Sequence, residues 1–456
     1  MPISPLAADT IAAIATPQGR GAVALLRVSG PRAVDVLRRV APAAADLAPR
    51  TQRLVALRHP ETGELLDRAL VTVFPAPASY TGEDTVEIST HGGVLTPQLV
   101  LDALLAAGAR PAEPGEFTRR AYLNGKLDLL QAEAVGDLIE GRSRALHRAA
   151  VHQMERGLSR RIEELRSAVI GAESLIAYSI DFPEEDEPPV PPERVRSAVA
   201  DVLARIDALL ATAPEGELLR EGALTVLAGR PNSGKSSLFN ALLGTERAIV
   251  TEIPGTTRDA LEASVTLDGY PFRLVDTAGL RETEDRVEGI GIEVARRYLA
   301  AADLVLFCIE AGRPLEPDER AFLSERDPAR TVVVRTKADL HPSSSTDDDA
   351  ADAAHVAATE GTGMPALRDR LLALAFGHIL GDPGEAPLVT RERHARALRA
   401  AREELVSFTL AMDEHVPMEL AATHLRAAAG ALEDLIGVVS VEDVLDRLFG
   451  DFCVGK

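Results

Sequence analysis

Apolar residues recur at two different periods along this chain, and the changes of period mark its organisation. Residues 21–28, 68–74 and 85–89 form short β-prone runs bounded by turns, the last with strict alternation, and predict strands. Residues 99–107 carry helical spacing, so residues 1–123 read as an α+β domain. From residue 124 the pattern turns helical. Residues 127–140 and 162–176 place their apolar side chains on one face, and the same spacing returns over 193–210 and 390–449. An acidic, proline-rich run, PEEDEPPVPP at 183–192, interrupts it and reads as a solvated connector.

Residues 222–379 break the helical pattern with strand-like runs at 223–228 (ALTVLA), 271–276 (PFRLVD) and 331–335 (TVVVR). A helical stretch, 237–243, follows the first of these. The simplest organisation is a helical domain, 124–221 and 380–456, split by an inserted α/β domain at 222–379. Insertion is tolerated where a domain's termini lie close together. Residues 343–349 (SSSTDDD) read as a surface loop, and the chain shows no internal repeat.

Composition narrows the class. A chain of 456 residues that is 46% hydrophobic and 26% charged predicts two to four domains with substantial cores. Two cysteines, Cys308 and Cys453, argue against a disulfide framework and suit a reducing cytosol. No charge-free apolar run reaches about 18 residues, and the N-terminus lacks a basic leader pattern. The expectation is a cytoplasmic protein with no membrane span. The net charge of −21 lies beyond residue 123, since the charges of residues 1–123 balance. So acidic a chain binds a phosphate backbone poorly by charge alone. A nucleic-acid partner would need a local basic patch or a second protein.

Only four of the 49 basic residues are lysine: Lys126, Lys235, Lys337 and Lys456. Lysine is a compact point charge where arginine is a planar fork, so these positions draw the eye. Lys235 ends the loop GRPNSGKS at 229–236, between the run 223–228 and the helical stretch that follows. Strand, glycine loop and helix is the context in which G-x-x-x-x-G-K-[ST] binds phosphates. Loop N–H groups cradle the phosphates, Lys235 reaches their β/γ end, and Ser236 binds Mg²⁺. Asp276, which opens D-x-x-G at a strand end, is expected to bind Mg²⁺ through water, with the Gly279 amide near the γ-phosphate. Asp339, in TKAD at 336–339, can accept guanine's N1–H and 2-amino protons, while the Lys337 stem covers the base. Three motifs in this order predict a GTP-binding domain, and the sequence here resembles the translation-factor-related class of P-loop GTPases.

Between them stands TEIPGTTRD at 251–259. GTTRD together with Asn232, one of three asparagines in the chain, resembles GTPases that recruit a monovalent cation beside the phosphates. Leu280 follows D-x-x-G where several small GTPases carry a water-orienting glutamine. The catalytic group must come from elsewhere, and Glu282, Glu284, Asp285 and Glu288 are the candidates.

The motifs GRPNxGKSS, GTTRD, DTAGLR and the terminal FCVGK at 452–456 together resemble the tRNA modification GTPases called MnmE or TrmE. The resemblance covers the whole chain, including GRGAVALLRVSG at 19–30, YTGED at 80–84, HGG at 91–93 and NGKLDL at 124–129. It implies an N-terminal tetrahydrofolate-binding and dimerisation domain, a helical bundle and an inserted Ras-like P-loop domain. It implies a K⁺-activated GTP hydrolase working with an FAD-dependent partner, MnmG, expected as a heterotetramer. Together they would add a carboxymethylaminomethyl-type group at C5 of the wobble uridine of certain tRNAs. The carbon would come from 5-formyl- or 5,10-methylene-tetrahydrofolate.

Carried onto this sequence, the resemblance makes Glu288 the catalytic residue. It makes Asn232, Thr251, Ile253 and Thr256 the K⁺ ligands, and Ser236 and Thr257 the Mg²⁺ ligands. Arg27, Glu87, Lys126 and Lys456 become the folate contacts. GTP would meet Asn232, Ser233, Gly234, Lys235, Ser236 and Ser237; Thr251, Glu252, Ile253, Pro254, Gly255, Thr256 and Thr257; Asp276, Thr277, Ala278 and Gly279; Thr336, Lys337, Ala338 and Asp339; and Ala357, Ala358 and Thr359. Cys453 reads as a small residue near the folate pocket in preference to a nucleophile. Two departures stand out: Thr336 where the family usually has asparagine, and Ala357-Ala358 where Ser-Ala is usual. Both predict lower nucleotide affinity, with guanine specificity resting on Asp339. The rival readings are a ribosome-assembly GTPase switch, disfavoured by the acidic flanks and terminal CxGK, and a folate-binding scaffold that only times the reaction.

Overall fold

The alternation over the first part of the chain folds as one six-stranded sheet. Its strands are β1 (Ile11–Ile14), β2 (Val23–Ser29), β3 (Arg53–Arg58), β4 (Leu65–Phe74), β5 (Thr85–His91) and β6 (Arg110–Pro111). They lie in the order β3-β4-β5-β2-β1-β6, antiparallel except for the parallel β1–β6 pair. Helices α1 (Ala33–Val40) and α2 (Leu95–Ala106) join Leu26, Val28, Val71, Val86 and Ile88 in one core. Side chains alternate across a strand. Leu26 and Val28 therefore turn into this core while Arg27, between them, takes the other face, as does Glu87 between Val86 and Ile88. Beyond the sheet come α3 (Glu116–Leu123) and α4 (Leu129–Glu140).

The computed structural model describes residues 9–44, 46–141, 143–181, 191–244, 261–276, 288–340, 353–380, 389–437, 449–450, 452 and 454–455. By packing the chain divides into two units, residues 1–136 with 433–456, and residues 137–432. Within the first unit Phe449 and Phe452 pack with Tyr122, Leu129 and Ala132, so the described tail residues lie against α4, in the segment expected to open the helical domain. Val454 bridges Pro114 in the same unit.

In the second unit α5 (Arg144–Met154), α6 (Gly157–Asp181), α7 (Pro192–Leu210) and α8 (Ala213–Glu221) lead into the second sheet. That sheet contains β7 (Ala223–Ala228), β8 (Leu261–Leu267), β9 (Tyr270–Asp276), β10 (Leu304–Glu310), β11 (Thr331–Thr336) and β12 (Ala354–His355). Its order is β12-β11-β10-β7-β9-β8, parallel except for β8 against β9. α9 (Lys235–Gly244), α10 (Glu288–Ala301) and α11 (Pro317–Ser324) lie between successive strands, and α12 (Met364–Leu380) follows β12. β7 lies inside the sheet and is buried at every residue, which explains its unbroken apolar run. One core joins Leu227, Leu238, Leu242, Leu274, Leu306, Val334 and Leu367. At its edge Phe376 meets Tyr270 at 4.9 Å and Phe272 edge-on at 5.6 Å.

α13 (Glu392–Asp413) and α14 (Met418–Ile436) follow. α7 buries Val195, Val199, Val202, Ile206 and Leu209, a single helical stripe, and packs with α6 and α13. Ion pairs Arg402–Asp207 and Arg196–Asp413, at 2.6 and 2.7 Å, tie α13 to α7. The helical spacing read over 390–449 is thus interrupted at residues 414–417, where Pro417 precedes α14. The proline-rich run from 183 to 190 and the 343–349 loop lie outside the described residues. Among the described residues no helix is long and apolar enough to cross a membrane.

Candidate functional site

β7 ends at Ala228 and the chain turns sharply into the glycine loop. Gly229 adopts φ +139°, and a Cβ there would come 2.4 Å from the Cys308 carbonyl oxygen. Gly234 adopts φ +82°, where a Cβ would meet Thr336 at 3.0 Å. No larger residue suits either position. Asn232 is left-handed too, at φ +62°, a conformation asparagine tolerates better than most residues, and its side chain is exposed. Lys235, 4% exposed, donates from Nζ to the carbonyls of Gly229 at 3.0 Å and Arg230 at 2.7 Å, bracing the loop. Ser237 is exposed in the first turn of α9.

Ser236 Oγ donates to Asp276 Oδ2 at 2.7 Å. Asp276 is buried at the end of β9, opposite Leu227 of β7. The ladder between two parallel strands therefore sets this pair. A hydroxyl beside a carboxylate is an oxygen donor set that fits a hard cation such as Mg²⁺. A cavity of about 860 Å³ lies against the loop, lined in part by Asn232, Gly234, Lys235, Ser236 and Lys337.

At the next strand end Thr336 Oγ1 reaches the Ser233 carbonyl at 2.7 Å, so the residue that departs from the family still grips the phosphate loop. Lys337 turns to φ +54° and pairs through Nζ with Glu310 at 3.1 Å. The Ala338 N–H donates to the Val356 carbonyl, and Asp339 stands exposed beyond it. Ala357 closes a turn through its N–H to Thr362, with Ala358 half-buried and Thr359 exposed. Thr251, Glu252, Ile253, Pro254, Gly255, Thr256, Thr257, Thr277, Ala278 and Gly279 lie outside the described residues, as do Glu282, Glu284 and Asp285. Glu288 is the first residue of α10.

Sequence reading passed over Arg230. Its guanidinium bonds Asp318 at 2.6 Å and lies 3.7 Å from Glu319, which Arg313 holds bidentately at 2.6 and 2.8 Å. Burial works to raise the Glu319 carboxyl, but Arg313 and the Glu316 N–H hold it below the usual carboxylate value. The position of an arginine inside the loop motif was the only signal.

In the N-terminal unit, Arg27 and Glu87 face each other across the β2–β5 ladder. Arg27 donates to Glu87 Oε1 from Nη2 at 2.7 Å and from Nε at 3.1 Å. Its guanidinium also lies over the rings of Tyr80 at 5.1 Å and Phe117 at 5.8 Å. Tyr80 bonds Thr118 through its hydroxyl at 2.9 Å, and burial raises its phenol above the usual value. Two expected folate contacts are therefore brought together, beside two rings that sequence reading did not single out as contacts. Tyr80 opens the YTGED motif, and with only five tyrosines in the chain it could have been weighed. Charge, hydrogen-bonding edge and aromatic faces fit a planar, anionic pterin conjugate. Lys126 is exposed and donates from Nζ to the Pro77 carbonyl at 3.1 Å. Lys456 and Cys453 lie outside the described residues. Their neighbour Gly455 is buried, at φ +99°, with no room for a Cβ beside the Ile14 carbonyl.

The same unit holds a buried ion cluster that no motif announced. Arg110 grips Glu116 with two bonds of 2.6 and 2.9 Å, and Arg120, 3% exposed, bonds Glu116 at 2.8 Å and Asp9 at 2.7 Å. Burial opposes the charge on Glu116, yet Arg110, the Glu113 N–H and Arg120 together hold its carboxyl below the usual value.

The sheet order and the phosphate loop at its centre place residues 222–379 in the class of P-loop GTPases. The particular family follows from comparison with known proteins. The model of the GTP-binding protein TrmE N-terminus matches residues 10–126, and that of the MnmE helical domain matches 129–453. The tRNA modification GTPase MnmE of Moorella thermoacetica is 43% identical over 461 residues, covering 98% of this chain and 99% of that one. Those of Chloroflexus aurantiacus and Azoarcus sp. are 43% and 42% identical, covering 98% and 99% of this chain and 100% and 99% of theirs. Among solved structures, the G domain of the T. maritima FeoB iron transporter is 28% identical, covers 33% of this chain and 97% of that one, and gives a TM-score of 0.26. The assignment rests on the sequence matches: the chain belongs to the MnmE (TrmE) family of tRNA modification GTPases.

Proposed function

We propose that this chain is a K⁺-activated GTPase that acts on the wobble uridine of certain tRNAs with an FAD-dependent MnmG partner. The product is a carboxymethylaminomethyl-type group at C5, with the carbon drawn from a tetrahydrofolate derivative. The observation that carries the reading is the Ser236–Asp276 pair beside Lys235, at the ends of adjacent parallel strands and a central glycine loop. Lys235 already lies along loop carbonyls, so its ammonium is positioned to move onto a β/γ-phosphate with little rearrangement. Ser236 and Thr257 would hold Mg²⁺, and Asn232 with Thr251, Ile253 and Thr256 would hold K⁺. These ions would supply positive charge against the charge that develops on the phosphoryl oxygens. Glu288 orients the attacking water. Arg27, Glu87, Lys126 and Lys456 bind the folate, Glu87 through the amino-pyrimidine edge and the cations through the glutamate tail. The N-terminal domain dimerises the chain, and the dimer joins MnmG as a heterotetramer in the cytoplasm.

Two measurements test this. GTP turnover in K⁺ should exceed turnover in Na⁺ well beyond error, and equal rates would remove the cation from the mechanism. Nucleoside analysis of tRNA from cells lacking the protein should show loss of the C5 group. An unchanged nucleoside profile would leave a GTPase without this substrate.

A further inference from the structure

Residues 142–161 hold six arginines and two histidines against one carboxylate, Glu155, a net of +5 (six less one, histidines neutral) in a chain whose net charge is −21. Most of this stretch is α5. Its inner face buries Ala145, Leu146, Ala150 and Gln153. Residues three and four apart share a helix face. Arg144, His147, Arg148 and Val151 therefore line the outer one, and all four are exposed. Beyond the turn at Arg156, Glu163 takes up Arg156 and Glu164 takes up Arg161 at 3.4 Å. Among the described residues no carboxylate pairs with Arg144, Arg148 or Arg160.

This placement works against the helix. The N-terminal end of a helix is its positive end, and cations there, like equal charges at i and i+4, are destabilising. α5 carries no acid in its first turn, and Ser143 caps it by accepting from the Leu146 N–H at 3.1 Å. Such breaches of local preference fall at functional sites. The helix is held all the same. The Ala145 N–H donates to the Gly269 carbonyl, between β8 and β9, at 3.1 Å, and Ala145 joins the core that contains Leu267 and Tyr270. The basic face therefore stands on a fixed support. Guanidinium groups bond phosphate oxygens bidentately. A polyanion is repelled by so acidic a chain as a whole, so it must be held where the charge is locally reversed.

We propose that the outer face of α5, centred on Arg144 and Arg148, is a docking surface for the phosphate backbone of tRNA. The proposal rests on the tRNA reading above and adds to it the place where this acidic chain meets its nucleic acid. Contacts of this kind position a nucleic acid without reading its sequence. They also release bound counterions, which makes affinity fall with salt.

The test is binding of fluorescently labelled, unfractionated tRNA to the full chain, followed by anisotropy across a KCl series. Arg144→Gln with Arg148→Gln keeps part of each side-chain stem and removes both charges. It should bind about thirtyfold more weakly at about 0.1 M salt and show a salt slope smaller by about 1.5 units, the signature of two lost phosphate contacts. Its thermal midpoint should not fall, since two cations leave the positive end of a helix, whereas arginines that served only the fold would lower it. GTP turnover should match the parent's. Arg194→Gln with Arg330→Gln removes the same charge from two other exposed arginines and should leave tRNA affinity near the parent's. A parent with no tRNA affinity overturns the surface, as do parent affinity and slope in the α5 variant or an equal loss in the control pair. Loss of MnmG assembly with tRNA affinity unchanged would make this face a protein interface and overturns it too. The reading beneath it fails separately: an unchanged nucleoside profile in cells lacking the protein removes tRNA modification, whatever these variants bind.

Discussion

Asn232 meets two demands at once. Its backbone is left-handed at φ +62°, and its amide oxygen is the expected K⁺ ligand. Ala satisfies neither, because the left-handed region costs an L-residue about 1–2 kcal/mol, whereas Gly satisfies the first. Asn232→Gly should therefore keep GDP affinity while the difference between K⁺ and Na⁺ turnover disappears. Asn232→Ala should lose both. Retention of the K⁺ response by the Gly variant would show that the residue only shapes the loop. Glu288 is proposed to act on the attacking water and not on bound phosphate, so Glu288→Ala should lower kcat by roughly a hundredfold or more with GTP affinity retained. Single-turnover hydrolysis beside a nucleotide titration separates the two quantities; an inactive Glu282→Ala with a normal Glu288→Ala would reassign the role. Cys308 makes the opposite case, a reactive group made inert. Burial pushes its thiol up to about 12, so at pH 8 iodoacetamide should leave it unlabelled in the folded chain and label it in urea.

At the scale of elements, α3 depends on an acid held charged in a nearly closed site. Glu116 is 4% exposed and bonded to both Arg110 and Arg120. Its folded pKa is lowered, so its contribution is fully present above the unfolded carboxylate value of about 4.3 and is lost as pH falls through the folded value. Hydrogen exchange in residues 116–123, corrected for intrinsic rates, should accelerate below about pH 4. Glu116→Gln removes the carboxylate that Arg110 and Arg120 share, while Asp9 still pairs with both and Glu83 with Arg120, so the loss should be about 1.5–3 kcal/mol, that of a charged hydrogen bond. That variant should exchange faster already at pH 7 and show a smaller further pH dependence, the part left to Asp9, whose carboxyl Arg110 and Arg120 also hold low. A pH-independent parent would mean that the cluster adds no stability. The strands were legible where alternation was long, as in β5, and the helices where stripes were long, as in α7. β1, with four residues, gave too short a pattern to read, β3 is closed by an arginine at each end and leaves only four apolar residues between them, and α1 and α3 have eight residues each. Their order comes from packing on the first sheet and from the ion cluster.

For the whole molecule, the terminal residues carry a prediction of their own. Phe449 and Phe452 sit with Tyr122 and Leu129, and Val454 bridges Pro114, so these described residues are held where termini usually fray. Deleting residues 453–456 should weaken binding of a tetrahydrofolate derivative and abolish tRNA modification. GTP hydrolysis should survive, because the core around Leu227, Leu274 and Leu306 lies in the other unit. Calorimetry with the truncated chain checks the first part, and folate affinity equal to the parent's would falsify it.

The sequence by itself determined the phosphate loop, the order of the GTPase motifs and the helical segments on either side of them. These are encoded locally: a glycine where φ must be positive, an apolar run where a strand is buried on both faces, a stripe at helical spacing. It also singled out Lys126, as one of four lysines, and Arg27 and Glu87, these two only through resemblance, since a lone charge on a strand carries no local signal. Only the tertiary structure decided that Arg27 and Glu87 are each other's partners, with the Arg27 guanidinium over two aromatic rings. Only it placed a threonine hydroxyl on the phosphate loop from 103 residues away, and drew Asp9, Arg110, Glu116 and Arg120 into one cluster. Contacts of that kind join residues far apart in the chain. They follow from strand register and helix docking, which the pattern of any one segment does not contain.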